Sequence, residues 1–385
     1  NRRTLNRNTF NTLIDDRTLT DSFVEDSSEW ANSYFGQIDL LGKFNTGTLS
    51  HQLLAGFDIS YLEFDYRALS ATVPDLDIFN PNYNISRPEY SPGFAYGQSN
   101  KTYGIYLQDQ IALSNNLKLL IGGRYDWTTS DLEIRSNDIN EPVFTDGAFS
   151  PRVGLVYQPS DTTSLYASYS SSFRPSSGFS INPDGEAFEP TRGTQYEVGI
   201  KKDFLDRRLS ATLAAYHITK TNVITPDPND PGFSIQTGEV RSQGVELDVA
   251  GELLPGWKII ASYAYTDAEV TQDNVTPVGN QLDNVPSNQA SLWTTYEIQR
   301  SNLRGLGFGL GLFYVGARQG DLANSFELPS HLRTDAALYY RRDGFNAAIN
   351  IRNLFDIDYG SYSFGRNFIQ RGAPLTITGS MSWTF

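Results

Sequence analysis

The sequence predicts an all-β fold, an antiparallel barrel that crosses a membrane on its strands. Three observations support this prediction: side-chain polarity alternates along the segments, short and long connections alternate, and the composition is rich in aromatic residues. The clearest alternation is segment 375–385, in which every odd position is apolar or glycine and every even position carries a hydroxyl group. Because successive side chains of a strand point to opposite faces, one side of this segment is apolar. In a membrane barrel that side meets lipid, and Trp383 and Phe385 fall where an aromatic girdle lies.

The composition agrees with a barrel whose inner face is polar. The chain has 385 residues and an apolar fraction of 39%, with 22 Tyr, 23 Phe and 5 Trp. A large soluble core would need more Leu, Ile and Val, whereas a water-filled barrel does not. No run approaches the roughly 18 apolar residues of a transmembrane helix, so any crossing must use strands. The net charge of −14 argues against nucleic acid as a partner, and the absence of cysteine excludes disulfides.

Short turns alternate with long loops along the chain. Short turns are expected near residues 45–48, 114–117, 159–162, 205–208, 252–256, 300–304 and 341–344. Long segments rich in Pro, Asn, Asp and Gly lie between them, at 70–99, 135–147, 173–191, 222–233, 271–285, 317–329 and 356–372. Short turns at one rim and long loops at the other are typical of outer-membrane barrels. Counting hairpins back from Phe385 predicts about 16 strands, with 1–14 as the first.

Glycine and charged residues fall on the polar face of the predicted strands. Glycines alternate with apolar residues over 305–312, and this period of two excludes a phosphate-binding loop and leaves room inside the barrel. The charged residues with inward parity are expected to satisfy one another or to hold a plug; they are Arg124, Asp126, Arg152, Glu197, Lys201, Glu246, Asp248 and Arg352.

Six segments, in this order, carry a family resemblance. They are Gly122–Trp127, Tyr166–Pro175, Phe188–Lys201, Gly238–Leu247, Tyr263–Ala268 and Asn353–Asp356. Together with the terminal Phe385, they resemble the C-terminal part of TonB-dependent ferric-siderophore receptors, especially the ferrichrome type. The match runs from about residue 17 to the end of the sequence.

The resemblance implies a larger architecture than these residues supply. Receptors of this family have a TonB box, a plug domain and a 22-stranded barrel in the outer membrane. We therefore expect residues 1–385 to form a single barrel domain, about 16 of the 22 strands, with the plug absent and the chain truncated at its N-terminus. Such a segment would expose two unpaired strand edges.

Enzymatic and metal sites are not supported by the sequence. The three histidines, His51, His217 and His331, lie far apart and have no second ligand at helical or strand spacing. No nucleophile elbow is present. The acidic segment 227–230 is interrupted by prolines, which disfavour a calcium loop. We expect no enzyme activity, no cofactor and no protein-bound metal, with iron arriving only as a siderophore chelate.

Aromatic side chains in the long loops are the candidate ligand contacts. A ferric hydroxamate is bulky, often neutral and fairly apolar outside, so aromatic walls suit it, whereas a catecholate would need an Arg/Lys cluster. The loops are acidic or balanced, which favours a hydroxamate. By the resemblance, Phe364 matches an aromatic that touches siderophore in the last loop, while Arg371 and Ser70 stand where the family has aromatics. The candidate contacts are Phe79, Tyr83, Phe94, Tyr96, Tyr362, Phe364, Arg366 and Phe368.

The resemblance implies active uptake of a ferric siderophore across the outer membrane. Its implied partners are the siderophore, the TonB–ExbB–ExbD complex acting through a preceding N-terminal part, and outer-membrane lipid and lipopolysaccharide. One alternative is a passive 16-stranded porin, which would be a closed barrel without energy coupling. Another is a TonB-dependent receptor for cobalamin, haem or a glycan. An outer-membrane barrel hydrolase comes last, because no clustered His and carboxylate is seen.

Overall fold

The computed structural model describes residues 2–14, 17–82, 84–136, 139–140, 143–175, 188–227 and 234–384. The strands are β1 (Arg2–Ile14), β2 (Thr18–Thr46), β3 (Leu49–Thr72), β4 (Leu76–Asp77), β5 (Ser91–Ala112), β6 (Leu117–Ile134), β7 (Ile139–Asn140), β8 (Phe144–Ser160), β9 (Thr163–Arg174), β10 (Thr191–Phe204), β11 (Leu209–Pro226), β12 (Ser234–Leu254), β13 (Trp257–Gln272), β14 (Asn288–Glu297), β15 (Leu306–Val315), β16 (Arg318–Gln319), β17 (Glu327–Leu328), β18 (His331–Arg342), β19 (Phe345–Arg352), β20 (Gly360–Ser363), β21 (Ile369–Arg371) and β22 (Thr376–Trp383). These described residues include no helix with the length and apolarity needed to span a membrane.

One antiparallel sheet contains sixteen long strands, and this confirms the strand number expected from the sequence. Apart from the two-residue strands β4 and β7, each strand of this sheet pairs with the next long strand along the chain. The remaining short strands form two small hairpins, β16 with β17 and β20 with β21. Among the described residues, no ladder joins β1 to β22, so the sheet has two free edges, as the sequence analysis expected.

Short and long connections alternate as predicted, but several strands run further into the long loops. The first long loop, expected over 70–99, contracts to 73–90 because β3 continues to Thr72 and β5 begins at Ser91. At 29, 24 and 22 residues, β2, β3 and β5 exceed the roughly 10 residues that a tilted strand needs to cross a bilayer. Their upper halves therefore extend above the membrane. The predicted loops 173–191 and 222–233 lie largely outside the described residues.

The two faces of the sheet differ as the alternation predicts. On one face of β2, Ile38 and Leu40 are 74% and 72% exposed, and on β22 Ile377 and Met381 share that face. An exposed apolar band is expected where a barrel meets lipid. The opposite face carries the polar groups: Arg124 of β6 bridges Asp58 and Asp126 there, at 2.5 Å each. This confirms, for Arg124, that inward charges satisfy one another.

Glycines on the inner face leave room for aromatic rings of the neighbouring strand, which lie over the glycine backbone. A Cβ placed at Gly307 would lie 2.2 Å from the ring of its cross-strand partner Tyr339, and one at Gly311 would lie 2.6 Å from Trp293. Gly199 stands in the same relation to Tyr166. The space that the sequence analysis attributed to these glycines is therefore filled by rings, which cover the exposed backbone.

Candidate ligand-binding site

The last three long loops are joined into one body, which we call the three-loop rim. They connect β13 to β14 (273–287), β15 to β18 (316–330) and β19 to β22 (353–375). The second contains the β16–β17 hairpin and the third contains the β20–β21 hairpin. Because the loops occur at the same end of neighbouring hairpins, side chains of one reach the backbone of the next.

Asn284 joins the first loop of the rim to the third. Its side-chain amide donates to the Ser363 carbonyl at 2.8 Å, and its Oδ1 accepts the Ser363 N–H at 2.8 Å. The Ser363 hydroxyl, in a residue only 1% exposed, donates in turn to the Gly320 carbonyl. One amide therefore replaces a strand partner for β20 and satisfies buried backbone groups that would otherwise destabilise the loop.

Arg318 joins the second loop to the third. The residue is 4% exposed, and its Nη2 donates to the carbonyls of Gly360 and Ser361 at 2.8 and 3.0 Å. Burial lowers the pKa of this guanidinium from its ordinary value, but an arginine side chain stays protonated in proteins. A buried cation that bonds to carbonyl dipoles fixes the hairpin it holds, because releasing it would leave a charge and two acceptors unpaired.

Further side chains close the rim. Asn324 exchanges hydrogen bonds with the backbone of Gln281, at 2.9 and 2.8 Å. At the base of the third loop, the fully buried Asn353 donates to the Ile357 and Ala373 carbonyls and accepts the Ile357 N–H. Partial burial tends to raise the pKa of the Asp321 carboxyl group. Hydrogen bonds from Ser325 outweigh this effect and hold the pKa below its ordinary value.

The rim presents four of the predicted contact residues on one hairpin. Tyr362 and Phe364 meet edge to face with centroids 4.4 Å apart, and Phe364 is 82% exposed. The Phe364 N–H donates to the Phe368 carbonyl at 3.0 Å. Arg366 donates to the Ser325 carbonyl at 2.7 Å and lies over Phe326. Partial desolvation and the Asp283 carboxylate raise the pKa of Tyr362.

A cavity of about 320 Å³ lies beside this hairpin. The rings of His331 and Tyr359 stack along the wall of this cavity, with their centroids 4.2 Å apart. Arg371, which stands where the family resemblance expects an aromatic, lines it too and pairs with Asp358 at 2.7 Å. The Arg371 charge is therefore largely neutralised and adds little attraction for an anionic chelate.

A second cluster, which we call the inner aromatic wall, lies at the base of the first long loop. It contains the predicted Phe94 and Tyr96 of β5 together with Phe64 and Tyr66 of β3. Tyr96 stacks on Tyr66 at 5.5 Å, and Phe64 and Phe94 lie 5.7 and 5.6 Å from Tyr96. The separations suit favourable ring packing.

Of the other two predicted contacts, Phe79 makes no contact with this wall among the described residues. Phe79 is 75% exposed after β4, where Asp77 accepts its N–H. Tyr83 lies outside the described residues. No contact among the described residues joins the inner aromatic wall to the three-loop rim, so the predicted residues form two groups.

Several functional candidates were missed by the sequence analysis: Phe64, Tyr66, Asn284 and Arg318. Phe64 and Tyr66 repeat the i, i+2 spacing of Phe94 and Tyr96, a signal that places both pairs on one strand face. Asn284 and Arg318 give no such signal, because their partners are 79 and 42 or 43 residues away.

No group of three His, Asp or Glu residues able to hold a metal occurs in the described part of the chain. His51 bonds to Asp109 and Thr46, at 2.6 Å each. His217 bonds to Gln243 and Thr219. Each of these histidines therefore contacts its strand neighbours.

Comparison with known proteins places the chain in a family. Residues 1–354 match the β-barrel of the TonB dependent receptor-like family. The metal-pseudopaline receptor CntO of Pseudomonas aeruginosa is 36% identical over 93% of this chain and 52% of its own length. The ferrichrome outer membrane transporter/phage receptor of Escherichia coli K12 is 34% identical over 95% of this chain and 50% of its own. The ferrioxamine B receptor of Salmonella typhimurium is 31% identical over 89% of this chain and 49% of its own length.

Solved structures share the fold. The siderophore receptor PiuA of Acinetobacter baumannii superimposes with a TM-score of 0.80 at 24% identity, over 96% of this chain and 58% of that one. The ferric-catecholate import receptor Fiu of E. coli K12 superimposes with a TM-score of 0.82 at 20% identity, over 99% of this chain and 60% of that one. At these identities the likeness establishes the architecture alone.

The chain spans about half the length of the curated relatives it matches. Within that span the family match covers most of the sheet, and the solved receptors share its strand arrangement. The chain belongs to the TonB-dependent receptor β-barrel family, whose barrels are proteins of the bacterial outer membrane.

Proposed function

We propose that the protein takes up a ferric siderophore, of hydroxamate type, across the outer membrane with energy supplied through TonB. The observation that carries the proposal is the exposed pair Tyr362 and Phe364 on the three-loop rim. Aromatic faces held on a stiff support suit a bulky, weakly charged chelate. The relatives named for metal-pseudopaline, ferrichrome and ferrioxamine B support a chelate as the cargo.

The charge at the rim supports a hydroxamate over a catecholate. Arg371 is paired with Asp358, Arg366 bonds to a carbonyl, and Arg318 is buried against the backbone. Each of these three cations therefore already bonds to the protein, whereas a highly anionic catecholate would require an Arg/Lys cluster that is open to it. If the cargo is haem, cobalamin or a glycan, none of the three iron carriers in the test below will be taken up.

The proposed cycle needs partners beyond this chain. The siderophore binds first at the loops, and the TonB–ExbB–ExbD complex then acts on an N-terminal part of the whole protein to open the barrel. The passive porin is disfavoured because the described sheet is not closed: no ladder joins β1 to β22. Ferric iron is cargo in this scheme, held by its chelator, and the chain supplies binding rather than covalent chemistry.

The test is iron uptake by the iron-starved host carrying the full-length gene. Radiolabelled iron is supplied on hydroxamate, catecholate and citrate carriers, with and without a protonophore. We expect saturable uptake from hydroxamates that disappears with the gene and with the proton gradient. Uptake from the other carriers alone would overturn the hydroxamate assignment, and flux that ignores the protonophore would overturn active transport.

A further inference from the structure

The inner aromatic wall faces the barrel interior beside two carboxylates. Phe64 and Tyr66 have the parity of Asp58 in an uninterrupted stretch of the β3 ladder, and Asp58 meets Arg124 on the polar face. Glu29 of β2 lies directly opposite Tyr66, and Glu25 lies four residues away on the same face of β2. Rings and carboxylates therefore share one patch of the inner wall.

Glu25 is a buried carboxylate whose described partner is a phenol. Its residue is 9% exposed, and the Tyr66 hydroxyl donates to its Oε1. No ion pair with Lys or Arg involves Glu25 among the side chains that the structure describes. Ser27, between the two glutamates in sequence and only 2% exposed, has an Oγ without a hydrogen-bond partner there.

Two arginines near the wall lie on the opposite face of the sheet. Arg135 bonds to Asp65 and Glu133, and Arg67 bonds to Asp65, all at positions of outward parity. These outer groups neutralise one another. On the inner face, Glu25 and Glu29 lie beside four rings, and both carboxylates act electrostatically on the Tyr66 hydroxyl.

We propose that the inner aromatic wall, with Glu25, is a subsite for a cationic group of the cargo, such as an alkylammonium arm. Ring faces attract cations that come within about 6 Å of their centroids, and a buried carboxylate adds charge complementarity. The inference rests on the proposed uptake of a chelate, and it adds a requirement that the chelate carry a positive group. An acidic wall disfavours anionic chelates at the same place.

The first experiment uses the purified full-length protein and a bare cation. Tetramethylammonium is titrated while intrinsic fluorescence is followed, with tert-butanol as the uncharged probe of similar size. We expect saturation by the cation alone and about a tenfold loss of affinity in Glu25→Gln, which keeps the acceptor for Tyr66. Glu63→Gln, on the opposite face of β3, is the matched control and should change nothing. Phe94→Leu, which removes one ring, tests the same site if Glu25→Gln does not fold.

The second experiment compares two forms of one chelate. A linear ferric trihydroxamate ending in a primary amine is compared with its N-acetylated form. We expect about a tenfold preference for the amine in the native protein, lost in Glu25→Gln while the acetylated form binds as before. If tetramethylammonium saturates the site but no chelate binds, the cation site stands and the uptake proposal fails. If chelates bind without preference, or tetramethylammonium binding ignores both variants, the cation site is overturned.

Discussion

The first long loop and the three-loop rim are built at the same end of the sheet by different means. Loop 73–90 is attached beside β2 by the two-residue ladder of β4 and by exposed side chains: Arg17 pairs with Asp77 at 2.5 Å, and Thr20 bonds to Asp75 at 3.0 Å. The rim is held by side chains such as Arg318 and Asn284, which bond to backbone groups of another loop. An exposed ion pair contributes about 0 to 1 kcal/mol to folding stability. Removing one partner of a buried hydrogen bond costs about 1–3 kcal/mol, because the other partner is left unsatisfied.

This contrast teaches that the rim is preorganised and that the first loop is attached more weakly. A preorganised surface spends less of its binding energy on ordering side chains. We therefore expect the rim to set the affinity for the cargo. The first loop, which approaches the inner aromatic wall, is expected to open and close more readily.

The largest effect is expected for Arg318→Ala. The change leaves the Gly360 and Ser361 carbonyls without their donor and separates two loops of the rim. We expect amide hydrogen exchange over 360–364 to rise by about tenfold or more and chelate affinity to fall with it. Arg304→Ala, in an exposed turn at the other rim, is the control. Unchanged exchange in Arg318→Ala would contradict a rim held by this residue.

Asn284→Ala is expected to follow in size. It removes both hydrogen bonds to Ser363 but leaves Arg318 in place, so the third loop loses one of its several attachments. We expect about 1–2 kcal/mol of local destabilisation, read from hydrogen exchange at the Ser363 and Phe364 amides. The double variant with Arg318→Ala tests coupling, since independent attachments would give additive changes.

Phe364→Ala is expected to lower chelate affinity without loosening the rim. The ring is exposed and packs edge to face on Tyr362 alone among the rings described. Losing one ring contact to the chelate costs about 0.5–1.5 kcal/mol, or roughly twofold to twelvefold in Kd. Phe364→Tyr retains the ring and should bind as before. Equal affinities for the native protein and Phe364→Ala would remove this residue from the site.

The smallest effect is expected for Asp77→Asn in the first loop. The hydrogen bond from Arg17 lowers the pKa of Asp77 below its ordinary 3.8, so the ion pair stabilises the loop above about pH 4. That stabilisation is lost as the pH falls through the lowered pKa. We expect at most a few-fold faster exchange of the Ile78 amide in the variant near pH 6, with no change at the rim. A rim that loosens as well would mean that the two regions are coupled.

The parity of the strands could be predicted from the sequence, and so could most of the loops. Segment 375–385 alternates without interruption, and β22 has the predicted apolar face through Met381. Period-two patterns are local, so a single sequence suffices to detect them. Strand ends were less well predicted, because β3 and β5 continue above the membrane, where both faces are polar or aromatic and the alternation fades.

The site was only half predictable for a similar reason. Phe364 and Tyr362 were predicted because aromatic residues in a polar loop stand out in the sequence. Arg318 was not found, since a buried arginine that binds carbonyls 42 and 43 residues away looks like any loop cation. Glu25 was missed because its function depends on register: only the ladder between β2 and β3 brings it to the face that carries Tyr66.

The glycine–aromatic pairs on the inner face have a consequence for how the sheet assembles. The rings of Tyr339 and Trp293 occupy the places where Gly307 and Gly311 have no Cβ. If β15 slipped by one residue, Phe308 or Leu310 would enter those places and collide with a ring, and the apolar face would turn inward. Each pair therefore disfavours a one-residue slip of the ladder, so that the native alignment is the one in which these strands can pair closely.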